Sequence, residues 1–197
     1  MKDWRLIYII FAKSEDKLYI SNKNRQAYFV LLSVCIIFVR INLKNCNVMF
    51  DKETYVQRRA LLKKNIGSGV LLFLGNDEQG LNYEDNAFRY RQDSTFLYYF
   101  GLSFAGLSAI IDIDEDKEII FGDELTIDHI VWMGTQPTLK EKSERVGIRE
   151  TLPSVAIISY LHKAVQKGQT VHYLPPYRPE HKLKLMDWLG IPPARSE

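Results

Sequence analysis

Short apolar runs separated by turn residues recur through the last three quarters of the chain. GVLLFL at Gly69–Leu74 and LSAIIDI at Leu107–Ile113 predict buried strands. A turn at Asp114–Lys117, followed by EIIF at Glu118–Phe121, predicts that the second of these strands returns as a β-hairpin. TVHYL at Thr170–Leu174 predicts a further strand.

Segments with helical spacing of apolar residues alternate with these strands. The predicted helices are Tyr55–Asn65 with Thr54 as its N-cap, Thr138–Val146, Ser154–Lys167 and Pro179–Leu189. Because strands and helices interleave along the chain, the sequence predicts an α/β fold with a mixed sheet flanked by helices.

The stretch Phe88–Gly101, read FRYRQDSTFLYYFG, joins a polar lead-in to an aromatic run. Aromatic residues favour a half-buried strand, so Phe96–Phe100 predicts a strand that Gly101 ends. An Arg-Gln-Asp cluster at the entry to a strand is unusual for a plain core element. The segment is therefore either an ordinary strand with a solvated lead-in or part of the rim of an active site.

Charge divides the chain into two parts. Residues 1–48 carry 8 Lys and Arg against 3 Asp and Glu, whereas residues 49–197 carry 18 against 21. The net charge of +2 argues against a strong nucleic-acid binder, which needs a basic stripe. The two cysteines, Cys35 and Cys46, resemble neither a disulfide framework nor a zinc site, which favours a reducing, cytoplasmic setting.

The basic N-terminal part contains a short apolar run at Leu6–Phe11, which predicts a strand, and a longer one, AYFVLLSVCIIFV, at Ala27–Val39. The longer run falls short of the about 20 residues that span a bilayer. Three interpretations stay open: a membrane anchor, a strand or helix that packs on the domain, or an upstream extension outside the natural protein. We favour the extension, with Met49 as the natural start, because composition and charge sign both change there.

Catalytic motifs are hard to find in the sequence. His162 lies in a predicted helix and His172 in a predicted strand, and neither has a histidine or carboxylate partner at metal-ligand spacing. Asp112 and Asp114 flank the hairpin tip, where solvated turn residues are expected rather than ligands. The sequence has no H-E-x-x-H, no G-x-S-x-G and no P-loop motif, so it offers no site for hydrolysis or phosphate binding by itself.

One family fits the order and spacing of several short motifs. Arg58-Arg59-x-x-Leu62, the block Tyr90–Gly101, the hairpin and the VWMG motif at Val131–Gly134 together resemble the N-terminal domain of Xaa-Pro aminopeptidases. These enzymes belong with prolidase and creatinase to the pita-bread metalloenzymes. The resemblance implies a creatinase-like, RNase H-like domain over residues 49–191, after an N-terminal extension over 1–48.

The resemblance also implies a parent enzyme with two domains. The second domain of such enzymes holds two metal ions, usually manganese, with two Asp, one His and two Glu, and cleaves before a penultimate proline. Residues 192–197 match the start of the linker to that domain. We therefore expect no catalytic residue and no metal ligand in this chain, no activity without the second domain, and proline-containing peptides as partners only when that domain is present.

The resemblance assigns the substrate entrance and the subunit interface to Asp85, Arg91 and Trp132. In some oligomeric relatives the matching Asp and Trp reach the active-site mouth of a neighbouring subunit, which implies a homo-oligomeric parent. The simpler alternatives are a loop carboxylate for Asp85, a loop-fixing ion pair for Arg91 and a core side chain for Trp132. The alternative functions are a free-standing peptide-binding or partner-docking module, or a membrane-anchored variant.

Overall fold

The computed structural model describes residues 50–83, 86–124, 126, 131, 134 and 136–196. The helices span Lys52–Ile66 (α1), Ser94–Phe100 (α2), Leu139–Glu144 (α3), Ala156–Gln166 (α4) and Pro179–Leu189 (α5), with a 3₁₀ turn at Pro193–Arg195. The strands span Val70–Leu74 (β1), Ser108–Asp112 (β2), Lys117–Phe121 (β3), Glu150–Leu152 (β4) and Val171–Tyr173 (β5). The predictions for Leu6–Phe11 and Ala27–Val39 lie outside the described residues.

The five strands form one mixed sheet in the order β4-β3-β2-β1-β5. β2 runs antiparallel to both of its neighbours, whereas β1 pairs with β5 and β3 pairs with β4 in parallel. Four of the strands therefore end at one side of the sheet, and this side is called the carboxyl edge below. The predicted mixed sheet flanked by helices is confirmed.

Helices cover both faces of this sheet. Successive strand residues point to opposite faces, and the central strands are apolar on both, so each face needs a layer of helices to bury it. On the first face, α1, α2 and α3 contribute the buried side chains Tyr55, Phe96, Phe100 and Leu139. On the second face, α4 and α5 contribute Ile157, Leu161, Ala164 and Leu185. The central strands β1 and β2 are buried along their whole length, which explains their continuous apolar sequences.

Arg59 is fully buried in the first layer and connects four segments. Its Nε donates to Glu118 Oε2 of β3 at 2.8 Å, and its two terminal nitrogens donate to the carbonyl oxygens of Tyr99 at 2.9 Å and Val146 at 3.0 Å. A buried guanidinium needs these partners, because an unpaired buried charge is strongly destabilising. Arg59, the second residue of the Arg58-Arg59 motif, therefore has a structural role.

The aromatic run Phe96–Phe100 is a helix, so the predicted strand is wrong. Asp93 Oδ1 accepts hydrogen bonds from the backbone N–H of Thr95 at 2.8 Å and of Phe96 at 2.9 Å, which is the geometry of a helix N-cap. Gly101 ends the helix with a φ of +64°, and a Cβ at this position would lie 2.3 Å from Tyr55 Cζ. The caps at both ends stabilise the helix more than the aromatic side chains favour a strand.

Three smaller expectations also need correction. α1 begins at Lys52 after Asp51, not after Thr54. The edge strand β4 was not predicted, because its three residues contain no apolar run. Asp112 is 1% exposed rather than solvated: its carboxylate accepts from Tyr160 Oη at 2.9 Å and from Gln169 Nε2 at 3.1 Å.

The predicted hairpin and the remaining helices are confirmed to within a few residues. β2 pairs antiparallel with β3, and a capping box between Thr138 and Glu141 opens α3. Gly190 follows α5 in the left-handed conformation that a C-terminal cap favours. None of the helices within the described part of the chain is both long and apolar enough to cross a membrane.

Candidate functional site at the carboxyl edge

The connections that leave the carboxyl edge diverge to opposite faces of the sheet. β1 is followed by α2 on the first face, whereas its parallel neighbour β5 is followed by α5 on the second face. The parallel pair β3 and β4 diverges in the same way, toward α3 and α4. Such topological switch points open crevices outside the carboxyl ends of strands, where ligands of α/β proteins bind.

A pocket of about 140 Å³ occupies the first switch point, between the ends of β1 and β5. Its walls include Leu74, Asp93, Pro176, Tyr177 and His181. Apolar walls with a few polar groups are typical of ligand pockets, although this one is smaller than most.

Gln92 organises the loops on one side of this pocket. Its side chain is buried, and its Oε1 accepts from the backbone N–H of Asn76 at 2.7 Å and of Asp93 at 2.9 Å. Its Nε2 donates to the carbonyl oxygen of Phe104 at 2.7 Å. The glutamine of the Tyr90–Gly101 block thus fastens three loop segments together, and both of its polar atoms bond to backbone groups of the domain.

Tyr90 and Asn76 extend this network. Tyr90 Oη donates to the carbonyl oxygen of Phe104 at 2.7 Å, and burial raises the pKa of its phenol. Asn76 Nδ2 donates to the carbonyl oxygen of Arg91 at 2.8 Å. Asn76 Oδ1 is buried without a hydrogen-bond partner among the described residues.

Asp93 and His181 connect the same loops to α5. Asp93 Oδ2 accepts from Tyr177 Oη at 3.1 Å, while its other oxygen caps α2. His181 is 4% exposed, and its Nε2 lies 3.1 Å from the carbonyl oxygen of Gly75. Because a carbonyl only accepts, Nε2 carries a proton, and burial lowers the pKa of the imidazole.

Of the three residues expected at the substrate entrance, Arg91 is described, whereas Asp85 and Trp132 lie outside the described residues. The Arg91 side chain is exposed, and within the described ranges no carboxylate pairs with it. Along the chain, Asp85 and Arg91 belong to the connection from β1 to α2, and Trp132 belongs to the connection from β3 to α3. Both connections leave the carboxyl edge.

The described residues do not fit a di-metal site. No group of three or more His, Cys, Asp or Glu side chains in this part of the chain could hold a metal ion. His162 and His172 each contact a backbone carbonyl instead, those of Trp188 at 3.1 Å and Ser68 at 3.2 Å. The buried Asp112 is engaged by Tyr160 and Gln169.

Comparison with known proteins identifies the family. The family described as "Aminopeptidase P, N-terminal domain" matches residues 55–173. The chain belongs to this family. The match includes most of α1, helices α2, α3 and α4, all five strands and the Tyr90–Gly101 block.

Relatives of this aminopeptidase P N-terminal domain are much longer proteins. A probable Xaa-Pro aminopeptidase of Chaetomium globosum is 30% identical over 112 residues, which cover 55% of this chain and 18% of the relative. The Xaa-Pro dipeptidase of Homo sapiens is 33% identical over 90 residues, 44% of this chain and 18% of that protein. The chain thus spans less than a fifth of either relative.

Solved structures share the fold. Aminopeptidase PepP of Pseudomonas aeruginosa superposes with a TM-score of 0.62 at 20% identity, covering 73% of this chain and 33% of that one. A variant of Escherichia coli aminopeptidase P gives a TM-score of 0.60 at 18% identity, with 72% and 33% coverage. The predicted creatinase-like fold is confirmed by these neighbours.

Sequence reasoning missed the structural use of the polar residues around the first pocket. The N-cap role of Asp93 had a readable signal, an Asp before Ser-Thr with a Gly eight residues later. Gln92, Asn76 and His181 had none, because their partners come from distant segments of the chain.

Proposed function

We propose that this chain works as the non-catalytic N-terminal domain of a Xaa-Pro-cleaving enzyme. The family match over residues 55–173 supports this role. A second support is that the polar side chains of the Tyr90–Gly101 block are used within the domain: Tyr90, Gln92 and Asp93 bond to backbone and side-chain groups of their own domain. In this proposal the block builds the domain, and the bond-cleaving chemistry belongs to a separate catalytic part of the parent.

The domain contributes to the substrate entrance through Asp85, Arg91 and Trp132. A carboxylate attracts the ammonium group of a peptide N-terminus, and an indole face covers an apolar side chain. All three residues belong to connections that leave the carboxyl edge, which is where α/β domains offer ligand sites. The parent is a homo-oligomer in which these connections meet the active-site mouth of a neighbouring subunit.

The parent carries two manganese ions in its catalytic part, which activate water for attack on the bond before proline. The residues of this chain supply positioning: Arg91 is presented at the surface because Asn76 holds its backbone carbonyl.

An activity assay tests this proposal. The purified chain is incubated with a Xaa-Pro tripeptide and added Mn²⁺, and a full-length Xaa-Pro aminopeptidase serves as the positive control. We expect no cleavage above background from the chain alone. Cleavage that co-purifies with the chain through several chromatographic steps would show that it is itself a peptidase.

A partner-docking module is the second candidate function. The connection from β1 to α2 exposes the apolar side chains Leu81, Tyr83 and Phe88 to 53%, 61% and 56%. Three exposed apolar side chains close together along one connection favour an interaction site there. In size-exclusion chromatography with a full-length relative, co-elution favours docking, and loss of co-elution in a Tyr83→Ser/Phe88→Ser variant assigns it to this connection.

A further inference from the structure

A groove distinct from the first pocket lies at the carboxyl edge, between the sheet and helices α4 and α5. It encloses about 400 Å³. Its floor is apolar and aromatic, with Phe121, Ile158 and Trp188, and its rim carries Asp77, Asp123 and Asp187. Beside it, a cavity of about 360 Å³ between the ends of β3 and β4 shares Asp123 with the groove.

The position of the two cavities matches the second topological switch point. β3 and β4 are parallel neighbours, and the chain leaves them toward opposite faces of the sheet. Asp123 lies two residues beyond the end of β3, so its carboxylate stands where the crevice opens. This is the place at which open α/β sheets bind ligands.

The rim of the groove carries more carboxylates than cations. Lys184 pairs with Asp77 at 2.8 Å and is the only cation among the described residues that line the groove. Asp123 accepts from the backbone N–H of Ser154 at 3.0 Å and from its hydroxyl at 2.5 Å, so it is fixed in place but not neutralised. Asp187 has no hydrogen-bond or ion-pair partner within the described residues.

We propose that this groove binds an extended peptide through an arginine or lysine side chain. Asp123 and Asp187 would receive the cationic group, and the indole of Trp188 would cover its apolar stem, since a tryptophan face favours a guanidinium or ammonium. The two cavities that meet at Asp123 suit two side chains on the same face of an extended peptide, which lie about 7 Å apart. This site is separate from the entrance residues and does not rest on the proposed function.

The attraction is local rather than a property of the whole chain. The net charge of the protein is +2, so a basic peptide gains nothing from the overall charge. Binding therefore depends on the rim carboxylates, and it should weaken as salt rises from about 50 to about 300 mM, because these groups are partly open to solvent.

Isothermal titration calorimetry of the full chain tests the site. The probe is the blocked peptide acetyl-Gly-Arg-Leu-Arg-Gly-amide, with the matched Glu peptide and argininamide as comparison ligands. We expect the Arg peptide to bind with a Kd below about 1 mM, argininamide to bind at least about tenfold more weakly, and the Glu peptide not to bind. No binding of the Arg peptide, or equal binding of the Glu peptide, would overturn the proposal. Argininamide binding as tightly as the peptide would overturn the assignment to a peptide.

Two variants assign the binding to the groove. Asp123→Asn keeps an oxygen for Ser154, and Asp187→Asn alters an exposed residue on α5. We expect the double variant to bind the Arg peptide at least about tenfold more weakly, whereas Glu53→Gln, which removes an exposed carboxylate from α1, should bind like the unmodified chain. Equal affinity in the double variant refutes the site. If the double variant fails to fold, Asp187→Asn alone decides, with about a threefold loss expected.

Discussion

The guanidinium of Arg59 lies 2.8 Å from the carboxylate of Glu118, which belongs to β3, the second strand of the hairpin. The arginine is fully buried, while the Glu118 side chain is 18% exposed. Burial lowers the pKa of Arg59, and the neighbouring Glu118 carboxylate opposes this shift. One charged side chain thereby joins α1, β3 and the end of α2.

Replacing Arg59 should be among the most damaging changes in the domain. Arg59→Ala leaves two carbonyl oxygens and Glu118 Oε2 without their donor, while Lys63 still pairs with Glu118 Oε1. We expect a loss of about 3 to 5 kcal/mol in the free energy of unfolding. Its neighbour Arg58 stacks on Phe50 and Tyr98 at a partly exposed site, so Arg58→Ala should cost about 1 kcal/mol. Urea denaturation measures both. Equal losses would contradict the role of Arg59.

Gln92 should behave as a structural residue of similar weight. Gln92→Ala removes the acceptor of the buried backbone N–H groups of Asn76 and Asp93, and we expect a loss of about 3 kcal/mol. The control is Gln57→Ala on the exposed face of α1, which should change stability by less than about 0.5 kcal/mol. Thermal unfolding followed by circular dichroism compares the two. A Gln92→Ala variant as stable as the control would mean that the loops hold without this side chain.

Alanine substitutions at two glycines that end helices distinguish the cost of a left-handed backbone from the cost of a steric clash. Gly101 and Gly190 both have left-handed backbone, with φ of +64° and +67°. Gly190→Ala meets no atom within 4 Å, so it should cost about 1 kcal/mol. Gly101→Ala would place Cβ 2.3 Å from Tyr55 Cζ, so we expect a loss at least about 2 kcal/mol larger. Chemical denaturation of both variants gives the difference, and similar losses would mean that Tyr55 moves aside freely.

His181 should make stability depend on pH. Burial lowers the pKa of its imidazole and Lys184 adds to this effect, whereas the hydrogen bond to the Gly75 carbonyl and the nearby Asp93 and Asp77 oppose it. Below the ordinary pKa of about 6.5 the unfolded chain therefore binds a proton that the folded chain resists. The stabilisation that the neutral His181 contributes is therefore present above a pH of about 6.5, and it is lost as the pH falls toward the lowered pKa of the folded state.

Unfolding free energies measured between pH of about 5.5 and 8 test this dependence. His181→Gln should flatten the decline at the acidic end, because the titrating group is removed. His162→Gln, at an exposed histidine, should leave the decline as it is in the unmodified chain. A decline that persists in His181→Gln would assign it to another group.

The sequence was sufficient for elements whose signal is local. β1 and β2 were predicted from continuous apolar runs, and α5 from its Pro at the start and Gly190 at the end. α2 was misread because aromatic side chains favour strands, whereas Phe96 and Phe100 lie four residues apart on one buried helical face. The capping residues Asp93 and Gly101 are the sequence signal that indicates a helix in this segment.

Features that depend on distant partners could not be read from the sequence. β4 exists because its backbone pairs with β3, and Asp112 is buried because Tyr160 and Gln169 come from segments about 50 residues later. The groove at Asp123 likewise combines loops with α4 and α5. Asp85, Arg91 and Trp132 came from family resemblance, and their role at a substrate entrance stays a prediction.

The parallel pairing of β1 with β5 has a consequence for synthesis of the protein. Val70 pairs with Val171, so the ribosome must release more than a hundred further residues before the outer edge of β1 finds its partner. Until then a nascent chain presents an apolar strand with unpaired backbone groups, which is a template for association with other chains. The domain should therefore fold late, need protection during translation, and aggregate when truncated before Thr170.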